Sequence, residues 1–284
     1  MGFLRYARPS DIVTSAASIT ASGTVSSDPN YGLSALYDND PAKPLKFETV
    51  GPIRLVYDFG SARRVDAFSL PNHNLAATTA CIVALNATNS WASPTVQKTL
   101  TVGADHLDGH KASPWCDLTT ASGYSESGFR YCSLFVPTQN VNIKLGETLI
   151  ISTLRQFDHE PQWGGTKGAL RRYLESLETE YGVVRVNRRR IKQRIYSFQI
   201  KGNTPDYEAI QALCDDAGGR ALPWFFSPDD AVQDELGLFV RFTRDAAARL
   251  TGQEEFFYQP VIATNKQIEN VAIDVEEVSR SLPL

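Results

Sequence analysis

The chain has 284 residues, 42% of them apolar and 21% charged, with a formal net charge of −4. That length allows two domains, and the acidic balance speaks against a whole-chain nucleic-acid binder. No apolar run approaches a membrane span, and the start Met1-Gly2-Phe3-Leu4-Arg5 lacks a signal-peptide core.

In chain order, the first 25 residues mix Ser, Thr and Ala with β-branched residues and read as short strands at 11–15 and 18–25. Asp28-Pro29-Asn30-Tyr31-Gly32 is a turn. Residues 53–60 alternate as a strand ending at Gly60, and 65–70 and 80–85 read as further strands. Residues 86–128 are polar and turn-rich, and are expected to form a loop-heavy insertion carrying Trp91, His106, His110, Trp115 and Tyr124. Residues 141–152 should close the first domain as a strand or hairpin, and 155–167 is the expected linker.

Leu170, Tyr173, Leu174, Leu177 and Tyr181 have helical spacing, and 169–178 stays open between helix and strand. Tyr196, Phe198 and Ile200 alternate with Ser197, Gln199 and Lys201, the period of a strand with one buried face. Gly202-Asn203 breaks that strand. Thr204 can cap a helix that has Pro205 at its first position and Asp206 and Glu208 in its first turn. Ile210, Leu213, Cys214 and Ala217 give that helix one apolar face, and Gly218-Gly219 ends it. Leu222, Trp224 and Phe226 begin another strand, followed by strands at 236–244, 255–263 and 266–277.

Little of this composition suggests reactive chemistry. His73, His106, His110 and His159 read as solvated loop residues, because none falls in a His-Glu-x-x-His helix. Cys81, Cys116, Cys132 and Cys214 lack metal-ligand spacing and read as buried free thiols; a Cys116–Cys132 bridge is the alternative in an oxidising compartment. Asp38 and Asp40 read as an Asx turn, with a calcium loop as the alternative. No nucleophile elbow and no distinctive carboxylate pair appears, so no catalytic residue, metal or cofactor is expected. Trp91, Trp115 and Tyr124 are the candidate stacking surfaces for sugar rings. Arg185, Arg188, Arg189, Arg190 and Arg194 form a basic run that suits either an interface with carboxylates or a solvated edge strand.

Four segments fall in an order that resembles the discoidin, or galactose-binding-like, jelly roll. They are Leu36-Tyr37-Asp38-Asn39-Asp40-Pro41, Val56-Tyr57-Asp58-Phe59-Gly60, Val65-Asp66-Ala67-Phe68 and Arg130-Tyr131-Cys132-Ser133-Leu134. The strand–helix–strand pattern from Arg188 to Phe226, with its aromatic exit, resembles the hub domain of phage distal tail proteins. Together these resemblances imply a mostly β protein of two domains: a jelly-roll β-sandwich at 1–153 and a β-sandwich with one short α-helix at 154–284. The hub resemblance favours strand from residue 179 onward. It also implies a non-enzymatic structural role, as a ring-forming adaptor of a phage tail tip or baseplate. Such an adaptor is a homo-oligomer, hexameric by resemblance, between the tail tube and receptor-binding or fibre proteins. It belongs to the virion, is assembled in the host cytoplasm, and needs neither nucleic acid nor membrane insertion. A ring requires two complementary patches per subunit; the basic run and the acids Asp274, Glu276 and Glu277 are the expected pair. The alternative is a carbohydrate-binding module for host-surface glycans. A glycan depolymerase is a third reading, disfavoured by the missing carboxylate pair.

Overall fold

The computed structural model describes residues 4–37, 44–104, 112–158, 162–163, 169–178, 184–201, 205–219, 221–227, 237–242 and 270–277. The protein is mostly β with one α-helix among these residues. It divides into two units, 1–160 with 223–239 and 161–222 with 240–284. The stretch read as one strand–helix–strand module is therefore split: its helix lies in the second unit and its aromatic last strand in the first.

The first unit holds β1 (Arg5–Ala7), β2 (Ser18–Ala21), β3 (Leu45–Lys46), β4 (Ile53–Arg63), β5 (Ala67–Ser69) and β6 (Ala80–Asn86). It continues with β7 (Val96–Thr101), β8 (Trp115–Asp117), β9 (Phe129–Val136), β10 (Lys144–Leu145), β11 (Leu149–Ile151) and β12 (Arg155–Gln156). Five strands form an antiparallel sheet in the order β2-β4-β9-β6-β7, and three form another in the order β11-β5-β8. The two sheets share one core, which makes this unit a β-sandwich. Leu55, Tyr57, Val83, Leu85, Leu134 and Val136 enter it from the larger sheet, and Phe68, Cys116 and Ile150 from the smaller. Each fully buried aliphatic or Phe side chain contributes about 1.5–3 kcal/mol. The alternation seen at 53–58 is the cause: Ile53, Leu55 and Tyr57 are buried, while Arg54, Val56 and Asp58 face the other way and stay half-buried.

The smaller sheet is buried on both faces. Ser69 pairs with Leu149 on one side and Trp115 on the other, so these three share the face turned from the sandwich core. Against it lies an aromatic segment from far along the chain, Trp224–Ser227, antiparallel to β1, which in turn pairs with β12. Phe225 meets Trp115 edge-on at 5.5 Å, and Tyr6 stacks on Phe157 at 4.7 Å. Gly237 completes the closure: its N–H donates to the Ser113 carbonyl at 2.5 Å and its carbonyl accepts from Ser69 Oγ at 3.0 Å. A Cβ there would stand 2.6 Å from Ser69 Oγ and 2.7 Å from Trp115 Cβ, so the approach needs glycine.

Three expectations for this unit change. Residues 86–128 are mostly loop among the described residues, as expected, but they are not an insertion, since they supply β7 and β8 to the two sheets. Residues 11–15 are not a strand: Asp11 ends a 3₁₀ turn begun at Pro9, and Ile12 makes an isolated bridge to Ile151. The expected linker begins as β12, where Arg155 makes a bidentate ion pair with Asp11 at 2.8 and 3.0 Å.

The second unit contains β13 (Gln162–Trp163), β14 (Ala169–Glu178), β15 (Val184–Lys201) and α1 (Pro205–Asp216). After β16, the Trp224–Ser227 strand of the first unit, come β17 (Leu238–Phe242) and β18 (Asn270–Glu277). Residues 169–178 are strand, paired with β15 from Ala169–Ile195 to Glu178–Val184; a ladder partner overrides the local helical spacing. The C-terminal half of β15 pairs with β18, from Ile195–Glu276 to Lys201–Asn270, and Phe198 on it is buried. Helix α1 buries Ile210, Leu213 and Cys214 as its periodicity predicts. It ends in a Schellman motif: Gly218 at φ 57° and Gly219 at φ 71° donate to the Asp215 and Cys214 carbonyls. Residues 255–263 lie outside the described residues. No helix among the described residues is long and apolar enough to cross a membrane.

Candidate functional site

The outer face of the five-stranded sheet carries an aromatic and cationic cluster built by three segments. Strand β4 turns Arg54 outward because its neighbours Ile53 and Leu55 turn in. Strand β9 sets Phe135 directly beside Arg54 and places Ser133 two residues along, opposite Val56. The β6–β7 connection brings Trp91. Asn86 anchors that connection: its side-chain amide donates to the Ser90 carbonyl at 2.6 Å, and its Oδ1 accepts from Ala87 N at 3.0 Å and Thr95 Oγ1 at 2.9 Å. Within the loop, Trp91 Nε1 donates to Asn89 Oδ1 at 2.8 Å.

The result is a fixed platform. The Arg54 guanidinium carbon lies 5.5 Å from the Trp91 ring centroid and 5.1 Å from that of Phe135. Both distances are within cation–π range. Arg54 Nη1 donates to Ser133 Oγ at 3.1 Å. Trp91, Phe135 and Arg54 are each half-buried, so part of each side chain stays exposed to solvent. Partial burial lowers the Arg54 pKa from its ordinary value, since desolvation disfavours the charged form. The same face carries Asp58 and Arg130 in a bidentate pair at 2.9 and 3.0 Å. The hydrogen bonds from Arg130 and from Gly60 N hold the Asp58 carboxyl down to about 2. An aromatic face, a planar donor fork and a neighbouring amide suit a ligand with a flat apolar side and a polar rim.

A second, shallow depression is walled by Val13, Ala16, Ile19, Tyr37, Phe59 and Ile150. The Tyr57 hydroxyl donates to Thr148 Oγ1 at 2.8 Å there, and Thr148 Oγ1 donates to the Leu36 carbonyl at 3.3 Å. Its polar atoms serve the fold, and its walls are apolar.

Of the three aromatics expected to face sugars, Trp91 alone stands on the platform. Trp115 is 1% exposed, pressed between the smaller sheet and Phe225, and offers no ring face to solvent. Tyr124 is half-buried against the sandwich core, with its hydroxyl donating to Asp66. That carboxylate also takes both arms of Arg64 at 2.7 and 2.8 Å and Leu154 N at 3.0 Å. Burial and the Asp66 carboxylate push the Tyr124 pKa up, so the hydroxyl keeps its proton. Both residues therefore serve the first unit's structure.

His73 is buried rather than solvated, and its Nδ1 accepts from Leu75 N at 3.2 Å. His106, His110, His159, Asp38 and Asp40 lie outside the described residues. All four cysteines are free and buried. No group of three or more His, Cys, Asp or Glu among the described residues could hold a metal ion. Arg185, Arg188, Arg189, Arg190 and Arg194 all lie on β15, along the part that runs beside β14, with Arg185 opposite Leu177, Arg188 opposite Leu174 and Arg194 opposite Leu170. Asp274, Glu276 and Glu277 lie on β18, paired with β15 at Ser197–Asp274 and Ile195–Glu276 and with β17 at Val240–Glu277. The two runs meant as separate patches thus belong to adjacent strands of one sheet.

Sequence reading missed Arg54. Its outward parity on β4 was legible, but Phe135 and Trp91 join it only through pairing across the sheet.

No family model matches the chain, and no curated protein matches it. Among solved structures, the chain is similar to a selenomethionine-labelled mutant of chitosan-binding module 1 from a chitosanase/glucanase of Paenibacillus sp. IK-5, at 15% identity and a TM-score of 0.35. That likeness covers 51% of this chain and 98% of the module. It is similar to the family 32 carbohydrate-binding module of C. perfringens NanJ, solved with galactose, at 10% identity and TM-score 0.36, over 54% of this chain and 99% of that one. It is also similar to the lectin domain of lectinolysin, solved with Lewis B antigen, at 14% identity and TM-score 0.35, over 48% and 92%. None of these findings supports the distal-tail hub resemblance.

Proposed function

We propose that the first unit is a carbohydrate-binding module that holds a saccharide on the Trp91–Arg54–Phe135 platform, and that it binds without catalysis. The observation carrying this reading is the Trp91 indole itself: half-open to solvent, and locked through Asn89 beside a guanidinium and a second ring. A pyranose ring presents an apolar face of C–H groups and a rim of hydroxyls, which matches a ring with donors at its edge. Titration of the full chain against an array of neutral and acidic oligosaccharides tests it. Trp91→Ala is expected to weaken Kd for the bound saccharide about tenfold or more. Unchanged affinity in that variant removes the platform as the site.

The ring-forming tail adaptor is the second reading. What favours it is the long β14–β15 hairpin with five arginines along one strand, since extended arms suit contacts between subunits. Reversing charge at Arg188, Arg189 and Arg190 together is expected to lower the mass measured by light scattering. A mass that stays the same, or a monomer before any substitution, removes this reading.

A further inference from the structure

We propose that the platform is a subsite for acidic sugars, with the Arg54 guanidinium receiving the ligand's carboxylate; this rests on the saccharide reading above. The first observation is an unbalanced charge. Three other arginines of the same unit end in bidentate carboxylate pairs: Arg64 with Asp66, Arg130 with Asp58 and Arg155 with Asp11. Arg54 has no such pair, and unlike the exposed Arg63, which lies over Phe59, it is half-buried. Among the described residues no carboxylate pairs with it, and its partners are two aromatic rings and one serine hydroxyl. A guanidinium has five N–H donors, and Ser133 takes one. A half-buried cation that has shed part of its water without gaining an anion gains most from a ligand that brings one.

The second observation is orientation. With Phe135 beside it on the ladder and Trp91 on its loop, the guanidinium is fixed rather than free on a long stem. A preset planar fork matches the two oxygens of a carboxylate. In a uronic acid the carboxylate hangs from the ring rim, so a ring stacked on Trp91 carries it toward a guanidinium carbon 5.5 Å from the indole centroid. The carboxylate of Asp58, on the same face of β4, does not spoil the site, because Arg130 neutralises it at 2.9 and 3.0 Å.

The test titrates the full chain with tri-galacturonic acid and with its methyl ester, which keeps the rings and removes the charge. The acid is expected to bind at least about tenfold tighter than the ester, the size of one charge-assisted hydrogen-bonded contact. Arg54→Gln should weaken the acid about tenfold more than it weakens the ester, so that the acid's preference disappears. Arg54→Lys, which keeps the charge without the fork, should retain part of the preference; it also guards against a Gln variant that fails to fold. Trp91→Ala should weaken both ligands. Equal binding of acid and ester, or a preference that survives Arg54→Gln, overturns the acidic-sugar inference and leaves the saccharide reading standing. Absence of binding to these probes and to the whole oligosaccharide array removes both.

Discussion

Trp115→Ala is expected to destabilise the first unit by about 3–5 kcal/mol, the cost of emptying a large aromatic site in a packed interior. The side chain is 1% exposed and sits between the smaller sheet and Phe225. Its removal therefore undermines both the sheet and the aromatic strand laid on it. Urea denaturation followed by near-ultraviolet circular dichroism measures the change, and Trp115→Phe, which keeps a ring against Phe225, should recover more than half. The same variants separate structure from recognition. Saccharide affinity per folded molecule should be the same in Trp115→Phe as in the parent. A Trp115→Ala protein of undiminished stability that has lost its ligand would return this residue to the binding surface.

Alkali is expected to unfold the same unit steeply, well before ordinary chain chemistry intervenes. Burial pushes the Cys81 and Cys116 thiols up to about 12, and Cys132 is raised as well by burial and by the neighbouring Cys116. A raised folded-state pKa gives stability that is fully present below the unfolded value, about 8.5, and is lost as pH climbs toward the folded value. In that window the unfolded chain releases protons that the native one keeps. Each thiol then costs about 1.4 kcal/mol per pH unit, so three acting together cost about 4 kcal/mol per unit. The urea midpoint should be level from pH 7 to 8 and fall sharply by pH 10, with Cys132→Ala reducing the slope by about a third. A flat profile to pH 10 would show that these thiols ionise without unfolding.

Much of the fold was legible where a segment carries its own evidence. Ile53, Leu55 and Tyr57 alternate cleanly because one face of their sheet is buried and the other is wet. Helix α1 announces itself through Pro205, the acids after it and the paired glycines at its end. Reading failed where the deciding partner lies far away. Trp115-Cys116-Asp117 is buried on both faces, so it shows no alternation, and in a polar neighbourhood it passes for a loop. Its cover, Phe225, cannot be inferred from anything near it. Leu170, Leu174 and Leu177 keep helical spacing yet lie in a ladder, because a long neighbouring strand satisfies their backbone groups. At the site, Trp91 stood out as an aromatic in a polar stretch. Arg54 did not, because an outward arginine on a strand looks like any other until Phe135 arrives beside it.

The path of the chain sets a clock for biogenesis. It leaves the first unit at residue 160 and comes back at 223. The strand that packs on Trp115 therefore emerges from a ribosome long after the sheet it covers. At translation speeds of about 5–20 residues per second, that greasy face stands bare on the order of ten seconds in every nascent copy. A premature stop anywhere in the intervening stretch would release it permanently uncovered, as bait for chaperones or as a seed for clumping.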